Sequence, residues 1–128
     1  MIELEGVSEM NVRIIIPVLD KKGVDSQLSL HFGRTPYFAV FDLNESGQII
    51  KQDTVSSSGE HFCEGINFLL NLKPDIMIAQ GMGQRVIQNF QNARIAILRT
   101  DSNVVKDAIQ EYIRGELVEL TEGCHKDQ

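Results

Sequence analysis

Residues 12–18 read VRIIIPV, and the fold follows from this run. It is β-branched and nearly all apolar, so it has no face to offer to water. A strand of that kind sits inside a sheet with cover on both sides. Pro17 stands near its end, where a missing N–H interrupts the ladder least. Packed layers are therefore needed above and below it, and the rest of the chain has to supply them.

Downstream, residues 37–43 (YFAVFDL) form a second apolar strand. Residues 44–47 (NESG) make a hairpin turn into 48–55 (QIIKQDTV), a third strand with weaker alternation, so the pair is expected to be antiparallel. The stretch between the first two strands, residues 19–36 (LDKKGVDSQLSLHFGRTP), mixes turn formers with polar residues. It is expected to be a long surface connection, and such loops usually carry function. After a link at Ser56, Ser57, Ser58 and Gly59, the residues Phe62, Ile66, Leu69 and Leu70 recur at helical spacing until Lys73 and Pro74 stop the helix.

Residues 75–80 (DIMIAQ) then read as a short buried strand, Gly81-Met82-Gly83 as a turn, and VIQNF as the body of a second helix. ARIAIL is a further buried strand. Thr100, Asp101 and Ser102 offer N-cap oxygens to a last helix whose apolar face, Val104, Val105, Ala108, Ile109, Tyr112 and Ile113, ends at Gly115. A short extended piece at Leu117 to Leu120 can follow. The order β, β, β, α, β, α, β, α predicts an α/β domain with a mixed sheet of about five strands and helices on both faces.

A length of 128 residues suits one domain with its own core, and 42% hydrophobic with 23% charged residues is a globular composition. Residues 1–10 lack any period and are read as an N-terminal arm, the domain as 11–120, and 121–128 as a polar tail. No apolar run approaches the roughly 20 residues that cross a bilayer, and no basic leader precedes an apolar stretch. Neither membrane nor export is expected, and Cys63 and Cys124 are read as reduced thiols in a cytoplasmic protein. The net charge of −6, to which Glu3, Glu5 and Glu9 contribute, leaves no basic face for a phosphate backbone. Nucleic acid is disfavoured, while a local anion pocket stays open as a reading.

At IIIPV (14–18), HFGRTPYF (31–38) and the Gly81-Met82-Gly83 turn before a helix, the sequence resembles the dinitrogenase iron-molybdenum cofactor biosynthesis family. The nitrogenase accessory carriers and the small orange protein are among its relatives. The likeness runs from about Asn11 to Leu120, and His31, Phe32, Gly33, Arg34, Pro36, Tyr37 and Phe38 are its most specific part. It implies a ribonuclease-H-like three-layer layout. It also implies binding without turnover, so no enzyme, with an iron-molybdenum or molybdenum-copper sulfide cluster as the bound body. The partner would be a cluster donor or acceptor protein, and the chain itself a monomer or weak homo-oligomer.

His31 precedes Phe32 and Gly33, where glycine allows a tight turn and phenylalanine anchors the loop, leaving the imidazole fixed but reachable. Neutral imidazole suits iron, copper and zinc, and the resemblance puts a candidate cluster ligand here. From the residues alone, a histidine bonded to backbone to order the turn explains the position as well. His61 and Cys63, in GEHFCEG, add imidazole and thiolate, a soft-metal pair. Residues i and i+2 of a helix point about 200° apart, so both serve one ligand only if the helix begins at or after them. Cys63 reads more readily as a small buried hydrophobe beside Phe62 and Ile66, which leaves His61 the better ligand of the two.

Cys124 and His125 adjoin in the tail, but a closed zinc site needs four ligands, and the chain has 3 His and 2 Cys in all. Gly81 and Gly83, with Arg85 in the first turn of the following helix and Arg34 in the histidine loop, form a candidate anion cradle of amides and guanidinium. The plainer reading is that these glycines let helix and strand pack closely.

Two other functions compete. A ribonuclease-H-like layout invites a magnesium-dependent nuclease using Asp20, Glu64 and Asp101, yet no carboxylate lies inside the first strand, where a rigid base is wanted. A nucleotide-phosphate module would use the Gly81 turn, but neither GxxxxGK[ST] nor GxGxxG occurs. The expectation is a carrier whose cofactor-binding residues are His31, Phe32, Gly33, Arg34, Gly81, Gly83 and Arg85, with His31, His61 and Cys63 toward the metal.

Overall fold

In the computed structural model, which describes residues 11–30, 35–56 and 62–120 (for 62–66 the backbone only), the run 12–18 is strand β1, Val12–Val18. The other strands are β2 Tyr37–Leu43, β3 Ile49–Ser56, β4 Ile76–Ala79, β5 Ala96–Arg99 and β6 Val118–Glu119. They form one mixed sheet in the order β3-β2-β1-β4-β5-β6. β1 is antiparallel to β2 and parallel to β4, β2 is antiparallel to β3, and β4 is parallel to β5. The helices are α1 Phe62–Asn71, α2 Gln84–Asn92 and α3 Val105–Ile113. The arm 1–10 and the tail 121–128 lie outside the described residues.

The three consecutive isoleucines explain the layers. Side chains alternate along a strand, so Ile15 faces one side of the sheet and Ile14 and Ile16 the other. All three have no exposed surface. Ile15 packs with Phe38, Met77 and Ile97 against Leu69 of α1 and Ile87 and Phe90 of α2. Ile14, Ile16, Val18, Ala39 and Phe41 pack against Val105, Ala108 and Ile109 of α3. Helices therefore cover both faces, two on one and one on the other.

Three expectations need correcting. Among the described residues the sheet has six strands, not about five, because the extended piece after α3 pairs as β6 through Leu98 with Glu119 and Arg99 with Val118. Both of its residues are exposed, so it carries no hydrophobic pattern.

The connection after β1 is not a surface loop throughout. Ser26, Leu28 and Ser29 are buried, and Leu28 bridges to Val18 while Gln27 bridges to Val104. β4 pairs with β1 only at Ile14 and Ile15, and the Pro17 carbonyl instead accepts the Ser29 N–H at 3.0 Å. Buried backbone groups beyond the end of β4 need partners, and this segment provides them. Its polar composition conceals that role.

The N-cap oxygens do not cap α3. Its N-cap is Val104, without a side-chain bond, and the Val105 N–H donates to the Ser26 carbonyl at 3.0 Å. Thr100 Oγ1 and Ser102 Oγ donate instead to the Glu111 carboxylate, at 2.7 and 2.9 Å. A charged acceptor inside the fold outcompetes the helix terminus.

At the opposite end of the sheet, Arg13 sits across from Asp42 in the β1–β2 ladder. Its Nε and Nη2 donate to the two carboxylate oxygens at 2.8 and 3.1 Å, and Nη1 donates to the Leu72 carbonyl just after α1 at 2.7 Å. The guanidinium hydrogen bonds hold the Asp42 carboxyl below the usual aspartate range, against the opposing effect of burial. A depressed folded value contributes stability above the unfolded value of about 3.9 and loses it as pH falls through the folded one. Asp42→Asn is thus expected to cost about 1–3 kcal/mol at pH 7. In urea titrations the gap between variant and wild type should close toward pH of about 2; a gap that persists in acid would mean the carboxylate charge is not the cause.

Candidate functional site

The chain leaves β1 toward β2 on one side and leaves β4 toward β5 on the other. In open α/β sheets such a divergence opens a crevice outside the carboxyl ends of the strands. Here the segments that follow those strand ends are Leu19 and Asp20 after β1, Gln80 to Gly83 after β4, and Thr100 to Asn103 after β5, with Ser26 to Ser29 set beside β1 beyond the end of β4. Gln80 Nε2 donates to the Ser102 carbonyl at 2.8 Å and to Asn103 Oδ1 at 3.0 Å, tying the loops after β4 and β5 together. Beside Asn103 lies an open groove of about 360 Å³ lined by Leu19, Gln27, Leu28, Ser29 and Leu30.

The ladder registers put several segment ends at this same end of the sheet. Val18 pairs with Tyr37, and Tyr37 pairs with Ser56. Thr35, buried, donates its hydroxyl to the Val18 carbonyl at 2.9 Å. Thus Leu30 and Thr35, which flank residues 31–34, belong to connections at the carboxyl end of β1, and so does Ser56, which precedes 57–61. α1 starts from that side and runs back to Asp75, whose N–H reaches the Arg13 carbonyl at 2.9 Å.

At the start of α2, Gly83 is the N-cap, with φ −70° and ψ 153° and no side-chain capping bond. Any residue adopts that conformation, and a Cβ placed there meets nothing within 4 Å. Close packing therefore does not explain glycine at 83. Met82, buried, anchors the turn, while Arg85 is exposed in the first helical turn. The first-turn amides of a helix carry partial positive charge, and a glycine N-cap supplies no oxygen to occupy them.

The proposed residues divide accordingly. Gly81, Gly83 and Arg85 stand together at the amino end of α2. His31, Phe32, Gly33, Arg34, His61, Cys124 and His125 lie outside the described residues, as do the side chains of Cys63 and Glu64. α1 begins at Phe62, so its printed span excludes His61 and includes Cys63. The Leu120 N–H donates to the Ile97 carbonyl at 2.7 Å, so β6 runs toward the amino end of β5 and the chain enters residues 121–128 from the side opposite the crevice.

Two acceptors were legible only with the structure. Asp20 Oδ1 and Gln80 Oε1 are buried and have no hydrogen-bond partner among the described residues. Each belongs to a polar residue within two positions of the end of a parallel strand, and that position was the available signal. For the nuclease reading, Asp101 is exposed and pairs with Arg99 at 3.2 Å, and no three His, Cys, Asp or Glu side chains converge among the described residues.

Known structures with this fold cover nearly all of the chain. The protein PH0822 is 28% identical over 85% of this chain and 96% of its own, with a TM-score of 0.73. A NifB-like protein from Thermotoga is 25% identical over 86% and 94%, with a TM-score of 0.69. The apo form of the orange protein from Desulfovibrio gigas, 18% identical over 87% and 94% with a TM-score of 0.73, shares the fold. No curated protein matches the sequence. The dinitrogenase iron-molybdenum cofactor family profile matches residues 12–115, from the first residue of β1 to the glycine that ends α3, and the chain belongs to that family.

Proposed function

We propose that this protein is a non-catalytic carrier or scaffold for an anionic metal-sulfur cluster, of iron-molybdenum or molybdenum-copper type, seated in the crevice at the carboxyl end of the sheet. The observation that carries this is topological. Leu30, Thr35 and Ser56, which flank the segments 31–34 and 57–61, lie at the same sheet end as the start of α2. Amides there, with Arg85 and Arg34, suit an anion. His31, His61 and Cys63 are the metal-facing donors, and Phe32, Gly33, Gly81 and Gly83 shape the cradle.

The buried oxygens of Asp20 and Gln80 do not suit a bare anion. They suit a body that brings donors of its own, such as metal-bound water. A cluster supplies most of its own ligands, so few protein bonds hold it, and weak ligation favours handover to a donor or acceptor protein.

Membership of the family supports this reading, and the orange protein structure is of an apo form. The order of the central strands supports the ribonuclease-H-like layout that the resemblance implies. No helix among the described residues is long and apolar enough to cross a membrane, and the cytoplasmic setting is proposed from composition.

The test is anaerobic reconstitution with thiomolybdate plus copper, or with molybdenum, iron and sulfide, followed by visible absorption. Wild type should develop cluster absorption, and His31→Ala should weaken binding about tenfold or more with an unchanged melting temperature. An anion at 100 times its Kd stabilises by about 2.7 kcal/mol, a shift of several degrees. If nucleotides produce that shift and no cluster absorption forms, the crevice is a phosphate module.

A further inference from the structure

Edge strand β3 carries an unfinished row of charge. Across the sheet Arg13 faces Asp42, and Asp42 faces Lys51. The row reads plus, minus, plus, and stops at the edge. Two residues along, Asp53 faces Val40, which carries no charge. Residues 50–53 are exposed, and no described strand pairs with the outer side of β3. On the face of the sheet that carries this row, a groove of about 190 Å³ runs from Arg13 and Leu72 across Asp42 to Lys51 and Asp53.

The backbone alternation tells which groups face outward. Arg13 bonds Asp75 through both its N–H and its C=O, away from β2. Counting across the ladders, the backbones of Lys51 and Asp53 turn toward β2 and those of Gln52 and Thr54 turn outward. Consistent with this, the Thr54 N–H is occupied by its neighbour's Asp53 Oδ1 at 2.8 Å.

We propose that β3 is the pairing edge of a symmetric dimer, in which two copies of this chain join their β3 strands antiparallel about a two-fold axis at Gln52. In that register each Lys51 lies opposite the Asp53 of the other copy, twice over. The charge row then continues plus, minus, plus, minus across the two-fold. The Gln52 backbones exchange a pair of hydrogen bonds, and the Thr54 N–H passes from the Asp53 carboxylate to the other strand, freeing that carboxylate for lysine.

Charges on an edge strand ordinarily suppress pairing. Here they select among registers, since an axis at Lys51 sets lysine against lysine and one at Asp53 sets aspartate against aspartate. A bulge beside Leu43 shortens the regular stretch to Lys51 onward, so the contact is small and the association weak. This inference is independent of the cluster-carrier reading.

Sedimentation of the full chain across a concentration series tests it. Wild type should dimerise reversibly below about 1 mM. Lys51→Glu alone and Asp53→Lys alone should each associate about tenfold more weakly, because each sets like charges opposite in both pairs. An equimolar mixture of the two variants should recover wild-type association, since the heterodimer restores opposite charges at every position. Melting temperatures of the variants confirm that each is folded. A wild type that stays monomeric throughout, variants that associate like wild type, or a mixture that stays apart would each overturn the proposal.

Discussion

A Phe90→Ala variant should lose about 3–5 kcal/mol of folding stability. Phe90 is completely buried, and with Ile87 it is one of the two buried residues through which α2 meets the sheet. Its carbonyl also closes the helix, accepting the Ala93 and Ile95 N–H groups at 3.1 and 2.9 Å. Truncation removes the ring's transfer energy and leaves a cavity among Leu69, Met77 and Ile97, which belong to rigid elements that collapse poorly. A domain of this size has roughly 5–15 kcal/mol in total, so the loss is a large share.

Urea unfolding measures it, and hydrogen exchange should show α2 opening before the β1–β2 ladder. Phe90→Leu, which keeps much of the volume, should cost less than about 1.5 kcal/mol. A loss below about 1 kcal/mol for the alanine variant would mean α2 is not held by this face. Because α2 presents its amino end to the crevice, a loosened α2 should also weaken whatever binds there.

Gly83→Asp should separate stability from binding, moving them in opposite directions. At φ −70° and ψ 153°, with open space where the Cβ would go, the position accepts aspartate without strain. Aspartate is a preferred N-cap, so the melting temperature should hold or rise by a few tenths of a kcal/mol equivalent. The same carboxylate would occupy the first-turn amides and put a negative charge in the cradle. At about 4 Å and an effective dielectric near 20, like charges oppose each other by about 4 kcal/mol. Anion or cluster affinity should therefore fall about a hundredfold or more. Gly83→Ala, which adds bulk without charge, is the control. Were Gly83→Asp to bind thiomolybdate as well as wild type does, the α2 terminus would not be the anion's seat.

Much of the architecture could be read from local pattern. The three isoleucines of β1, the apolar run of β2 and the apolar stripes of α1 and α3 all report burial by neighbours, and burial leaves a trace in local pattern. The features that went unread leave no such trace. Ser26 and Leu28 are buried because backbone groups of Val18 and Asn103 require partners, and those lie far along the chain. Thr100 and Ser102 look like caps until Glu111, nine or more residues away, takes both hydroxyls. β6 is two exposed residues held by backbone pairing alone.

For the candidate site the division is similar. The glycine turn and Arg85 were visible as a motif, whereas Gln80 and Asp20 acquire meaning only from the strands they follow. By itself the sequence determined that there would be a covered central strand, alternating helices and a family resemblance concentrated in residues 31–38, because side-chain chemistry and its spacing are local quantities. Only the tertiary structure decided that Leu30, Thr35 and Ser56 and the start of α2 come to one end of the sheet. That outcome rests on which backbone N–H meets which carbonyl across strands distant in the chain, and no single segment carries that register.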